Sequence, residues 1–503
     1  MALVPITPDP GFIDVGTEYS NEGRWSEGNL VRFVDGTVRP IGGWSVRVSE
    51  NIEGTVIGLY SYAIGALKVI IIATTERVYK YDGSLVDVTP DNFNAPTPGQ
   101  LTPDGFGAGM FGKGLFGNHD GRDEFVFYSP TAYEYAFSMF GTTLIMSCTS
   151  DNKIYKLSKE DVKLTLCENA PMDVSWSIVS DERFVFAIAP NGNRGKVQWS
   201  DIENYTVWTP TETNRAGSLT IPDESELFAA VKWRSQIYLF SASAVYRLNY
   251  VGGVLVYGIT KIINQYDAPI SANSIVVTPN GIAWLNVNGV GLWDGQYRPV
   301  INQVHDYYKR NVVQGYERYT FGGYNEAYNE AWWFFVSDEP ESGSQAIPGK
   351  YMVWHITSNT WSSGSLPRTA WNMSWSVGKP LLSDGAVVLS HEDCSLADSH
   401  DIGDLVPYIK NAMSDIGNGD NVVTVDRIVV DELTSNGDNL DYVIETSMWP
   451  STDRTTSVSY SAQDGRIDSR FTARQMSITI TGPTDADWSI GKLRANIKER
   501  GRR

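Results

Sequence analysis

Five histidines, His119, His305, His355, His391 and His400, are the side chains best placed by type to move protons or hold a metal. They are scattered along the chain rather than gathered. The tightest group is HEDC at His391–Cys394, with Asp398, His400 and Asp401 close behind. Imidazole, thiolate and carboxylate are the ligands a zinc site draws on, but such a site sets them on one helix face or at paired Cys/His spacing. This run does neither and falls in a turn-like segment, so metal binding is not expected of it. Nucleophilic chemistry has no better candidate: the sequence has no GxSxG elbow, no Walker loop, no HExxH and no cysteine pair at zinc spacing. The 59 acidic residues offer many carboxylate pairs of the kind that cleave glycosidic bonds, and no SxDxGxTW series singles one out.

Aromatic residues are the other chemical resource. The 16 tryptophans and 26 tyrosines can stack on sugars, yet most fall at repeated strand positions, where packing between sheets accounts for them. SNTWSSG at Ser358–Gly364 has the form of a kelch-type turn whose Trp packs between blades. The run GFGAGMFGKGLFG places Phe106, Phe111 and Phe116 at intervals of five, each followed by glycine. Glycine lets the backbone turn and approach a neighbour while Phe supplies apolar area. No Lys–Ser/Thr pair follows, so this is no phosphate loop. A protein–protein contact and a loop folded back on its own sheet both fit.

The elements that position these residues are strands. RVYKYDG, KIYKL, RFVFAIA, QIYLF, AVYRL, GIAWLNV, WWFFV, YMVWHI and MSITI are short, rich in β-branched and aromatic residues, and bounded by Gly, Asn, Asp and Pro. Helical periodicity is nearly missing, with Gln303–Val313 the best candidate. The expected class is all-β. Aligning the aromatic strands brings Tyr79, Tyr155, Trp199, Tyr246, Trp293 and Trp354 to one position of a common pattern, at separations of 76, 44, 47, 47 and 61 residues. Spacings of about 40–50 residues are those of four-stranded propeller blades. The expectation is a β-propeller of about six blades over residues 49–400, with longer gaps holding the glycine-rich insertion at about 96–122 and the loop DEPESGSQAIPGK. Residues 1–48 carry four prolines and read as an extended arm or the first strands. From 401 to 503 the alternation resembles a small β-sandwich, and the chain closes on KLRANIKERGRR, with six basic residues against one Glu. Lys498, Arg500, Arg502 and Arg503 are therefore candidate contacts for DNA or an acidic neighbour.

Composition bounds the partners. Among 503 residues the formal charge is −19, which argues against a protein that clamps nucleic acid but not against a surface past which DNA slides. Three cysteines, Cys148, Cys167 and Cys394, exclude a disulfide framework and suit reduced thiols in a protein made in the cytosol. No signal peptide is visible at the start, and the longest apolar run, Val69–Ala73, is too short to span a bilayer.

Several stretches, in order, resemble one family: the tail nozzle or hub proteins of short-tailed bacteriophages. They are GRWSEGNLVRFVDGTVRPIGGW (Gly23–Trp44), the periodic FG insertion, VQWSDIENYTVWTPTETNRAGS (Val197–Ser218), LSHEDC with VPYIKNAMSDIGNGDNVVTVDRIVVDE, and RFTARQMSITITG with WSIGKLRANIKERGRR. Ala473 stands where the family pattern has Gly, and Val430–Asp431–Glu432 where it has V-P-D. The resemblance implies a structural virion protein with no catalytic residues, cofactor or metal. It implies six copies in a ring below the tail adaptor, with tail fibres or spikes and a plug or needle protein as further partners. Packaged DNA is held and then conducted through the ring without sequence-specific binding. Assembly would take place in the host cytoplasm, and an acidic composition suits a carboxylate-lined lumen. The alternative is a propeller that binds or cleaves host surface polysaccharide.

Overall fold

Among the described residues, strands of two to nine residues pair antiparallel into seven four-stranded sheets. The computed structural model describes residues 2–96, 101–103, 128–130, 132–223, 225–253, 255–340, 344–374, 376, 378–417, 421–448, 456–462 and 465–501. Blades 1 to 6 span 56–87, 135–166, 176–220, 227–263, 275–300 and 321–365. Blade 7 takes three strands from 370–394, and its fourth is Gly43–Val48, paired antiparallel with Val388–Cys394. The first strand of each blade touches the first strand of the next, and that of blade 7 (Ala370–Ser374) touches that of blade 1 (Val56–Ile64). The ring is therefore closed, and the molecule is a seven-bladed β-propeller.

Packing between blades explains the closure. Each sheet has two apolar faces, because both are covered by neighbours. The second strands Leu67–Thr74, Thr143–Cys148 and Val185–Ile188 are buried at nearly every position instead of at alternate ones. Val48, Val56, Leu59, Ile72, Leu381 and Val388 form the core that seals blade 7 to blade 1. Gly323 marks how close blades 6 and 7 come. A Cβ there would lie 2.1 Å from the Trp371 ring, so only glycine fits.

The six aligned aromatics all fall on third strands: Tyr79, Tyr155, Trp199, Tyr246, Trp293 and Trp354. The seventh blade lies outside that pattern because its third strand, VLSHEDC, has no Trp or Tyr, and its fourth is drawn from the start of the chain. The expected extended arm is corrected by the same topology. Residues 2–40 form five strands, and Gly43–Val48 locks the propeller. Their prolines sit at strand ends and edges, where a missing N–H costs nothing.

These N-terminal strands join C-terminal ones in a two-sheet sandwich. One sheet runs Val31–Val34, Thr37–Pro40, Trp488–Gly501, Val422–Thr434, Arg466–Ala473, with Ala2–Pro5 also beside Trp488–Gly501. The other runs Asp9–Phe12, Arg24–Asn29, Tyr408–Asn411, Gln475–Thr481, Asp441–Ser447, Thr456–Ser461. Phe12, Trp25, Phe33, Ile428, Tyr442 and Trp488 pack between them, in a core continuous with blades 5 and 6. Trp361, from the SNTWSSG turn, is buried in that seam and donates to the Ile301 carbonyl at 2.9 Å. The helix expected at 303–313 is His305–Asn311. A short ribbon, Leu101–Pro103 against Tyr128–Pro130, lies between blades 1 and 2 at the ends of the glycine-rich insertion.

Candidate functional site

A cluster of buried charges lies at the seam of sandwich, blade 6 and blade 7. Arg32, on the sandwich strand Val31–Val34, donates through Nε and Nη2 to the two oxygens of Glu330 at 2.9 and 3.2 Å. Nη2 also meets Glu392 of blade 7, and the guanidinium lies 3.5 Å over the Tyr328 ring. Glu330 accepts further from Trp332 Nε1 at 3.0 Å and faces His355 Nδ1 at 3.2 Å. Glu392 accepts from the Gly42 N–H at 2.7 Å. Burial alone would raise the Glu330 carboxyl, but Arg32 and His355 outweigh it and hold it down to about 2. Burial works against Arg32 too, and its two carboxylates more than compensate.

His391 lies between the Trp332 and Trp371 rings; neither ring nitrogen makes a hydrogen bond among the described residues, and Nε2 lies 3.6 Å from Glu392 Oε1. Burial pulls its pKa down to about 4, so it is a neutral aromatic wall at neutral pH. HEDC is thus dispersed by strand alternation: His391 points into the core, Glu392 to Arg32, and Asp393 outward to Lys379 at 2.6 Å. Among the described residues no three His, Cys, Asp or Glu side chains are gathered to hold a metal ion. Cys148 and Cys167 are buried thiols, and burial raises them to about 11 and about 12.

Besides an opening of about 190 Å³ lined by Glu22, Asn411 and Asp415, openings with polar walls lie at the seam and at the axis. A cleft of about 580 Å³ lies between the sandwich, blade 6 and the helix His305–Asn311. Its walls include the Tyr307 and Tyr408 rings; Arg310 pairs with Asp14, Lys410 with Glu445 at 3.1 Å, Tyr408 donates to Glu27 at 2.8 Å, and Lys350 donates to Asn311 Oδ1 with no carboxylate beside it among the described residues. The other opening is at the propeller axis, where Glu134, leading into blade 2, accepts from the Asn273 N–H leading into blade 5 at 3.2 Å. Blades 2 and 5 stand across the ring from each other, so this contact bridges the axis, with a cavity of about 40 Å³ beside it. Burial raises the Glu134 carboxyl to about 7, against the pull of the Asn273 and Ala272 amides and of Arg318. A duplex needs an opening of about 20 Å. The axis of one propeller is no passage for it.

Of the residues expected to meet partners, Phe106, Phe111 and Phe116 lie outside the described residues, as do Arg502 and Arg503. Lys498 and Arg500 are exposed on Trp488–Gly501, with Lys498 3.5 Å from Asp426. The Arg32 network could not be found by motif, since its partners are 298 and 360 residues away.

No family model matches the chain, and no curated protein matches it. Among solved structures it is similar to the extracellular domain of a putative one-component system from B. thetaiotaomicron, at 11% identity and a TM-score of 0.33. That match covers 91% of this chain and 48% of the other, so the chain spans about half its length. It is also similar to the WD40 domain of Neurospora crassa Pan2, at 9% identity and a TM-score of 0.39, covering 72% of this chain and 98% of that one. Among the described residues no helix is long and apolar enough to cross a membrane.

Proposed function

We propose that this chain is a structural protein of a short-tailed phage virion, a tail nozzle subunit. Six copies form a ring below the adaptor, retain packaged DNA and conduct it out during ejection. The observation that carries the reading is the ordered set of matching stretches from residue 23 to 503. Their placement supports it. Gly23–Trp44, LSHEDC, the stretch from Val406 to Glu432 and the two closing strands all converge on the sandwich and the strand that locks blade 7. Val197–Ser218 lies apart in blade 3 and the FG insertion outside the described residues, but the stretches at the junction of sandwich and propeller fit an assembly protein, whose working parts are its interfaces. In this reading the DNA passes between copies, since Glu134 bridges the axis within each one.

The test is negative-stain electron microscopy of the purified protein, alone and with its candidate adaptor ring. Six-fold rings with a central opening of about 20 Å or more are expected. Particles that stay monomeric with the adaptor present would sink the reading. The polar cleft with its Tyr307 and Tyr408 walls favours a second one, in which the propeller binds host surface polysaccharide. Polysaccharide binding lost on Tyr408→Ala would move the assignment there.

A further inference from the structure

The outer face of the sheet built on Trp488–Gly501 is basic in a chain whose net charge is −19. Lys492, Arg494, Lys498 and Arg500 are exposed along that one strand. Register brings sequence-distant cations beside them: Arg494 faces Val429, which faces Arg466, while Asn496 faces Arg427, which faces Asp468. Directly paired residues share a face, and Arg470 joins it by alternation, being exposed like Arg466 and Asp468. Three strands thus present seven cations. Asp468 engages two of them, Arg427 at 3.0 Å and Arg466 at 3.6 Å, and Asp426 engages Lys498 at 3.5 Å. The side chains of Arg470, Lys492, Arg494 and Arg500 make no ion pair among the described residues, although the Lys492 backbone N–H donates to the exposed Asp431 carboxylate at 3.4 Å. The same face runs on to Arg39, whose register partner Arg32 is the cation already taken up by Glu330 and Glu392 of the propeller.

From these positions we infer that the face binds the phosphate backbone of duplex DNA without reading sequence. A protein partner is disfavoured by composition: the centres of protein–protein interfaces are enriched in aromatic residues and depleted of charge. This face offers guanidinium groups and, as large exposed apolar side chains, Leu3 and Leu433. Protein–DNA interfaces are the strongly basic, polar kind. From Lys492 to Arg500 the strand rises about 26 Å, and three strands span about 10 Å. That is room to lie beside about seven or eight base pairs at 3.4 Å each. The net negative charge of the whole chain does not forbid this, because at physiological salt charges beyond about 8 Å are screened. The inference goes beyond the nozzle reading, and within a ring it would interrupt an otherwise acidic lumen with a contact that holds DNA in place.

The experiment is fluorescence anisotropy of a labelled 25-base-pair duplex with the full chain, between about 50 and 200 mM salt. Wild type should bind with an affinity that falls steeply with salt. The variant Arg470→Gln/Lys492→Gln/Arg494→Gln should lose about tenfold or more at low salt, and its log–log salt slope should shrink by about 2.7, at 0.9 per phosphate contact. Lys68→Gln/Lys159→Gln, exposed on blades 1 and 2, should leave both unchanged. Thermal melting checks that both variants fold. No duplex binding by folded wild type at 50 mM salt overturns the proposal, as does an unchanged slope in the triple variant. A triple variant that instead loses salt-sensitive self-association, in a protein that never bound duplex, assigns the face to an acidic protein surface and also overturns it. Sedimentation of the same samples separates the two readings. Duplex bound by a monomer removes the ring and keeps this face, and a ring that ignores duplex does the reverse.

Discussion

Arg32 shows how one side chain can fasten two modules. Its strand belongs to the sandwich, Glu330 is the first residue of a blade 6 strand, and Glu392 lies on the blade 7 strand that the N-terminal segment completes. All three charges are buried or nearly so, with side chains 3%, 1% and 10% exposed. A buried ion pair contributes little net stability over an apolar replacement, but removing one partner strands the others in a poor solvent. Arg32→Ala is therefore expected to cost about 3–5 kcal/mol, measured by urea unfolding at neutral pH. Glu330→Gln should cost less, because the amide oxygen can still accept from Trp332 Nε1 and Glu392 still neutralises the arginine. A loss for Arg32→Ala within the scatter of surface substitutions, about 0.5 kcal/mol, would mean that water reaches the seam.

At the scale of elements, the seventh blade tests how the ring is closed. Trp44 stands opposite His391 in the closing strand pair, donates to the His400 carbonyl at 2.6 Å, and lies 4.5 Å from the Arg368 guanidinium. Trp44→Ala should cost about 3–5 kcal/mol, as truncations of buried Trp do. By hydrogen exchange the loss should concentrate in Val388–Cys394 and Gly43–Val48 before it reaches blades 2 to 4. Uniform loss of protection in all seven blades would show that the closing strand is not a separate cooperative unit. The same element marks where the sequence stops being legible. Six third strands announced themselves through a Tyr or Trp at one repeated position, because such a residue must pack on the next blade wherever the repeat recurs. Blade 7 breaks that rule by filling the space with His391 and by borrowing Trp44 from 347 residues earlier in the chain. Proline-rich residues 1–48 looked like an arm for a related reason. Strands that each pair with a distant partner, as Ala2–Pro5 does with Trp488–Gly501, carry no local hairpin signature. The basic face was half legible: Lys498 and Arg500 stand in a charged run, whereas Arg427, Arg466 and Arg470 reach it only through register.

For the molecule as a whole, buried His391 and half-buried Glu134 set opposite limbs on the dependence of stability on pH. His391 is neutral in the fold, its pKa pushed by burial from 6.5 to about 4. The unfolded chain then binds more protons than the folded one between those values, so stability is lost as pH falls from 6.5 towards 4. Glu330, held at about 2 against an ordinary 4.5, extends the acid limb further down. Glu134 works the other way. With its carboxyl raised to about 7, the folded chain binds the extra proton, and stability is lost as pH rises from 4.5 to 7. Between 4.5 and 6.5 the His391 and Glu134 slopes oppose each other, so wild type should be nearly flat there and decline below about 4.5. The single variants should expose the hidden slopes. Glu134→Gln removes the falling limb and should leave stability rising with pH up to 6.5. His391→Phe removes the rising limb and should leave stability falling from 4.5 to 7. Denaturant unfolding at half-unit pH steps checks both. If the two variants keep wild type's flat profile, water solvates Glu134 at the axis and His391 at the seam, and neither group is buried as the packing here requires.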